Sequence, residues 1–199
     1  MASNLNVPEL PPLVPSKNHP VARWLGKKIL KWLGWNLAGT FPNQPKIVVA
    51  LGPHTSNWDF IIAMAAIMAT GIQASYLMKK EAFVWPFSKI WQWLGGVPLN
   101  RKATENTVEQ MVQQFQQREQ LWLAIAPEGT RQKVDYWKSG FVRIAHLAEV
   151  PVLTVVWDYP NKELRLDKLW QTSDDYERDA AAIREHVRTH FKGKYPQLQ

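Results

Sequence analysis

The chain has 199 residues, 46% of them hydrophobic, and no cysteine. That length and composition suit one domain with a real core, and they exclude disulfides, thiolate metal sites and a cysteine nucleophile. Lys and Arg outnumber Asp and Glu by 24 to 17, a net charge of +7. Such a surface attracts phosphate, whether on nucleic acid, anionic lipid or a small substrate.

Residues 1–20 are polar and proline-rich and read as an extended arm; they lack the charged start and apolar middle of a secretory signal. From Val21 to Trp35 the pattern becomes helical. Val21, Trp24, Leu25, Ile29, Trp32 and Leu33 share one side, and Arg23, Lys27 and Lys31 fall elsewhere on the wheel. A basic amphipathic helix of this kind, over residues 21–36, either lies on an anionic bilayer or packs its apolar stripe on the main domain. Lys46 to Leu51 is a β-branched run between Pro45 and Gly52 and reads as a buried strand. A loop over Pro53 to Asn57 leads into an apolar helix from Trp58 to Thr70, too short to span a membrane. No run of about 18 apolar residues occurs, so no transmembrane helix is expected.

Ala74 to Met78 is the second strand, and Phe83 to Leu94, rich in Trp and Phe, a short helix expected to bury much of its surface. Val97 to Asn100 is a short third strand, followed by a helix over Ala103 to Glu119 and a fourth strand over Leu121 to Ala126. A helix over Lys138 to Ala148 precedes a fifth strand, Val150 to Trp157; Glu163 to Leu166 is a sixth, and Asp175 to Phe191 a charged final helix. Strands alternating with helices predict an α/β domain whose mostly parallel sheet is flanked by helices. Ligands in such sheets bind beyond the carboxyl ends of the strands. Three segments fall at such ends: the loop holding His54, the segment ending at Arg101, and Pro127 to Arg131.

In His54-Thr-Ser-Asn-Trp-Asp59, the histidine follows a strand and the aspartate lies in the first turn of a helix. The four residues between them let the carboxylate reach one imidazole nitrogen and leave the other as a base near neutral pH. The same residues also read as a helix cap, because Ser56 and Asp59 have capping-box spacing with Asp in place of Glu. Pro127-Glu128-Gly129-Thr130-Arg131 marks a tight turn with an arginine suited to phosphate, or an ordinary turn with solvated charges. Arg101, in Gly-x4-Arg after a short strand, is open to the same two readings. His186 and His190 have metal-binding spacing on a helix, but no third ligand lies nearby in sequence and a polar helix face is the simpler reading.

His-x4-Asp, Gly-x4-Arg, Glu-Gly-Thr-Arg and a Val-Pro-Val strand occur here in that order, from His54 to Val156. The combination resembles the PlsC-like glycerolipid acyltransferase family, that of the lysophosphatidic-acid acyltransferases. The resemblance implies an acyltransferase domain over residues 37–199 and a fatty acyl transfer, in phospholipid biosynthesis, from acyl-CoA or acyl carrier protein to a lysophospholipid hydroxyl. It implies no metal and no cofactor. His54 would be the base and Asp59 its orienting partner. Arg101 would grip the acceptor phosphate, Glu128, Gly129 and Thr130 would shape its site, and Arg131 and Lys138 would add positive charge. Trp24, Lys27, Lys28, Lys31 and Trp32 would contact the membrane, peripherally and at its cytoplasmic face. The sequence departs from the family's usual pattern at Pro53, Asn100 and Ala126, where Asn, Asp and Phe are common. These departures bear on the acceptor, for which another lysolipid such as a lyso-ornithine lipid is the alternative. Nucleic-acid binding is the rival from another class, and no RRM, zinc-finger or helix-turn-helix signature supports it. A third reading is a catalytically silent lipid-binding module on the same fold, against which the intact His54 and Asp59 stand.

Overall fold

The computed structural model describes residues 5–79, 81, 83–84, 87–93, 95–99 and 107–199. In chain order the elements are α1 (Pro20–Leu33), β1 (Asn36–Ala38), β2 (Lys46–Gly52), α2 (Asn57–Thr70), β3 (Ala74–Lys79), α3 (Ser88–Trp93), β4 (Gly96–Leu99), α4 (Thr107–Gln117), β5 (Leu121–Ile125), α5 (Gly140–Leu147), β6 (Val152–Asp158), β7 (Glu163–Trp170) and α6 (Tyr176–His190), with a short 3-10 turn at Pro196–Leu198.

Among the described residues, seven strands form one sheet in the order β1-β7-β6-β2-β5-β3-β4. β4, β3, β5, β2 and β6 run parallel, as expected for strands joined through helices. β2 is paired on both sides and covered on both faces, which is why its sequence is a continuous apolar run rather than an alternating one. β7 runs antiparallel to β6, because the turn after Asp158 is too short for a crossover. It extends to Trp170, well beyond the predicted Leu166, and its exposed Lys168 and Leu169 show why the run did not read as a core strand. β1 adds to β7 over three residues, too few to carry a visible period.

Alternate residues of the strands feed two cores. Val48, Ala50, Leu121, Leu123, Val152 and Val156 pack beneath α4, α5 and α6. Ile47, Val49, Trp122, Leu153 and Trp157 pack with residues of α1 and α2. The contact between α1 and α2 is close: a Cβ on Gly26 would lie 2.5 Å from both the Ala65 carbonyl oxygen and the Ala69 amide nitrogen. The N-terminal arm is docked rather than loose, since Val14 is buried in this second core and the Lys17 N–H donates to the Gly71 carbonyl at 2.7 Å.

α1 ends at Leu33, capped by Gly34 in a left-handed conformation (φ 72°), so the helix stops three residues before its predicted end and starts one residue earlier. Its apolar residues do not act as one stripe. Gly26, Ile29, Leu30 and Leu33 turn toward α2 and the core, whereas Val21, Trp24, Leu25 and Trp32 face outward. The predicted helix over 83–94 is shorter, Ser88–Trp93, and has no buried residue. Phe87, Ile90 and Trp93 are exposed, contrary to the expectation that this segment buries much of its surface. No described helix is long and apolar enough to cross a membrane.

Candidate active site

The carboxyl ends of three neighbouring strands build the site. β2 delivers Pro53 and His54, β5 on one side delivers Glu128, and β6 on the other delivers Tyr159. Side chains 100 residues apart in sequence therefore meet within one strand spacing of β2.

The chain leaves β2 through a cis Gly52–Pro53 peptide and enters α2 with an extended Ser56 as N-cap. The Ser56 side chain accepts from the Trp58 N–H at 3.2 Å, and Asp59 accepts from the Ser56 N–H at 2.8 Å, completing a capping box. The oxygen of Asp59 that caps the helix, Oδ2, also lies 3.1 Å from His54 Nδ1. The cap and the dyad are thus one arrangement, not alternatives. A carboxylate only accepts, so Nδ1 carries the hydrogen and Nε2 holds the free lone pair. Nε2 has no hydrogen-bond partner among the described residues, and the His54 side chain keeps 16% exposure. Its ring stacks on Trp157, centroids 5.4 Å apart and planes inclined by 29°. That contact leaves the imidazole little freedom to tilt.

Asp59 has no solvent exposure. A buried carboxylate is costly unless its oxygens are satisfied. Here the second oxygen, Oδ1, accepts from the Tyr159 hydroxyl at 2.5 Å, so three donors converge on one carboxylate. The Tyr159 ring packs edge-on against Trp35, 4.8 Å between centroids. Burial, and then the bond to Asp59, push the phenol's pKa well above its ordinary value, so it stays a donor at any working pH.

Glu128 is 7% exposed and turns inward. Both its oxygens accept from the His54 backbone N–H, at 3.1 and 3.0 Å. Burial pushes its pKa up to about 7, against the pull of that N–H. Trp137 backs this pocket so closely that a Cβ on Gly52 would sit 2.7 Å from its ring, so only glycine fits there. The geometry thus ties Glu128 to the backbone that presents His54. The rest of the turn faces out. Gly129 has φ 65°, Thr130 accepts from the Gln132 N–H at 3.3 Å, and Thr130, Arg131 and Lys138 are all exposed. Lys138 is held beside the turn by its backbone N–H, which donates to the Pro127 carbonyl at 3.2 Å. Arg101 lies outside the described residues. The two helical histidines are otherwise occupied: His186 pairs with Asp167 at 2.8 Å, and His190 Nδ1 donates to the His186 carbonyl at 2.8 Å.

Two features escaped sequence reasoning. Tyr159 was marked only by its place at the end of a parallel strand. The segment after α6 folds back over the His54 loop: the Tyr195 N–H donates to Thr55 Oγ1 at 3.2 Å, and the Lys192 carbonyl accepts from the Tyr159 N–H at 3.1 Å. The Lys194 ammonium then lies 5.2 Å from the Trp58 ring centroid.

The sequence profile of the Acyltransferase family matches residues 37–158, a span that holds β2, β5 and β6 and with them His54, Asp59 and Glu128. The chain therefore belongs to the acyltransferase family. Its fold is similar to that in the crystal structure of the 1-acyl-sn-glycerophosphate (LPA) acyltransferase PlsC from Thermotoga maritima, at 17% sequence identity and a TM-score of 0.58, over 87% of this chain and 80% of that one. No curated protein sequence matches the chain at a significant level.

Proposed function

We propose that this acyltransferase moves a fatty acyl group from a thioester, acyl-CoA or acyl carrier protein, to a hydroxyl of a lysophospholipid such as 1-acylglycerol-3-phosphate. The observation that carries the reading is a half-buried imidazole whose Nδ1 is tied to a fully buried carboxylate while Nε2 has no hydrogen-bond partner among the described residues. Nε2 takes the proton of the acceptor hydroxyl as its oxygen attacks the thioester carbonyl. The carbon–sulfur bond then breaks, and the departing thiolate receives the proton from His54. An ester and a free thiol result, with no acyl-enzyme. Asp59 holds the ring and stabilises the imidazolium that forms in between.

Arg101 would bind the acceptor phosphate, with Arg131 and Lys138 adding positive charge beside Gly129 and Thr130. Membrane docking, at the cytoplasmic face, would use the outer side of α1. Lys27, Lys28 and Lys31 are exposed there, and Trp24 and Trp32 are 60% and 82% exposed, a combination suited to an anionic lipid interface.

The test is transfer of labelled acyl groups from acyl-CoA and from acyl carrier protein to a panel of lysolipids, lyso-ornithine lipid included. Wild type should label one acceptor class, and His54→Ala should lose about 10²- to 10⁴-fold in rate with its circular dichroism unchanged. Equal rates in the two proteins would overturn the assignment of the base.

A further inference from the structure

We infer that Tyr159 is a positioning residue that sets the basicity of His54 through Asp59. The inference rests on the reading of His54 as the base and adds a third member to the dyad. Asp59 has two oxygens with different partners. Oδ2 serves the Ser56 N–H and His54 Nδ1, and Oδ1 serves the Tyr159 hydroxyl. The Ser56 bond belongs to the helix cap and would exist in any capped helix. The Tyr159 bond has no such local reason. It comes from a different strand, 100 residues away, onto a carboxylate with no solvent exposure.

A donor on Oδ1 draws negative charge away from Oδ2. The carboxylate then stabilises imidazolium less than a bare one would. The hydroxyl also pins the carboxylate plane, because the Tyr159 ring is itself wedged on Trp35 and its backbone N–H is held by Lys192. The other titratable groups around the dyad are Glu128, on the His54 backbone N–H, and Lys194 and Tyr195 of the C-terminal segment. Among the described residues none of these contacts Oδ1 of Asp59. The Tyr159 hydroxyl also meets the Ser56 side chain, which carries no charge, so Asp59 is the one charged group that loses a donor when the hydroxyl is removed.

The test is Tyr159→Phe, which keeps the ring on Trp35 and removes only the hydroxyl. The His54 imidazole is titrated by NMR in the substrate-free protein, and the acid limb of kcat/KM is measured alongside. The expected result is a rise of about half to one unit in the His54 pKa, with the acid limb moving to higher pH by the same amount. Tyr159→Leu, which removes the ring as well, should move the His54 titration in the same direction. A titration superposable on that of wild type, or one shifted to lower pH, would overturn the inference, since a merely structural tyrosine would leave the His54 pKa where it is. The NMR arm needs no substrate. It therefore decides the role of Tyr159 even if His54→Ala were to keep its transferase activity, an outcome that would sink the catalytic reading instead.

Discussion

The His54 loop and the outer face of α1 use the same kinds of residue in opposite ways. In the loop every charge is committed: Asp59 accepts from three donors and Glu128 holds a backbone N–H with both oxygens. On α1, Lys27, Lys28 and Lys31 carry no ion pair among the described residues, and Trp24 and Trp32 reach into solvent with at most a cation–π contact from Lys28. A site that moves a proton needs its groups held to a fraction of an ångström. A surface that meets fluid lipid gains from the sum of weak contacts and needs no single geometry. Changes in the loop should therefore be large and non-additive, and changes on the outer face of α1 small and cumulative.

Asp59→Asn should produce the largest effect. It leaves the ring without a carboxylate and favours the wrong tautomer, so kcat should fall about 10²- to 10⁴-fold, measured as single-turnover acyl transfer. Glu128→Gln comes next and is read as stability against pH. The native carboxyl titrates near 7 and the unfolded one in the ordinary range near 4.5, so the folded state holds the proton more tightly. Its contribution is fully present below about pH 4.5 and is lost as pH rises through about 7. Urea unfolding at several pH values should show the variant spared that loss, a difference on the order of 3 kcal/mol between the ends of the window. Parallel pH profiles would refute the buried-carboxyl account.

Gly26→Ala should force α1 away from α2, because its Cβ would strike backbone at 2.5 Å. Overpacking of that kind costs about 1–3 kcal/mol, and the better helix propensity of alanine recovers at most about 1 of it. Denaturant unfolding measures the balance, and an increase in stability would mean the helices can slide apart freely. The smallest effect per residue is expected on the outer face. Lys27→Glu, Lys28→Glu and Lys31→Glu should each weaken sedimentation with anionic vesicles by about 1 kcal/mol, with salt reducing the difference, and should change stability by less than about 0.5 kcal/mol. Unchanged vesicle binding in the triple variant would remove α1 as the docking element.

The sequence by itself determined the alternation of strands and helices, because period and breakers are local properties. It also offered the pairing of His54 with Asp59, beside a plain helix cap, because a strand end, four residues and a helix start bring those two near each other; the structure makes cap and pair one arrangement. The extent of β2, the run of α2 and the Pro-Glu-Gly turn were legible for the same reason. Tertiary structure decided the rest. Tyr159 meets Asp59 only because β6 lies beside β2 in the sheet, and strand order is a global result of packing. Glu128 turns toward the His54 N–H rather than outward because β5 occupies the other side of β2 and Trp137 closes the space behind. The periodicity of α1 showed an amphipathic helix but not which apolar residues would be covered. That was decided by Gly26, where the missing side chain lets α2 approach one line of the helix and leaves Trp24 and Trp32 on the other.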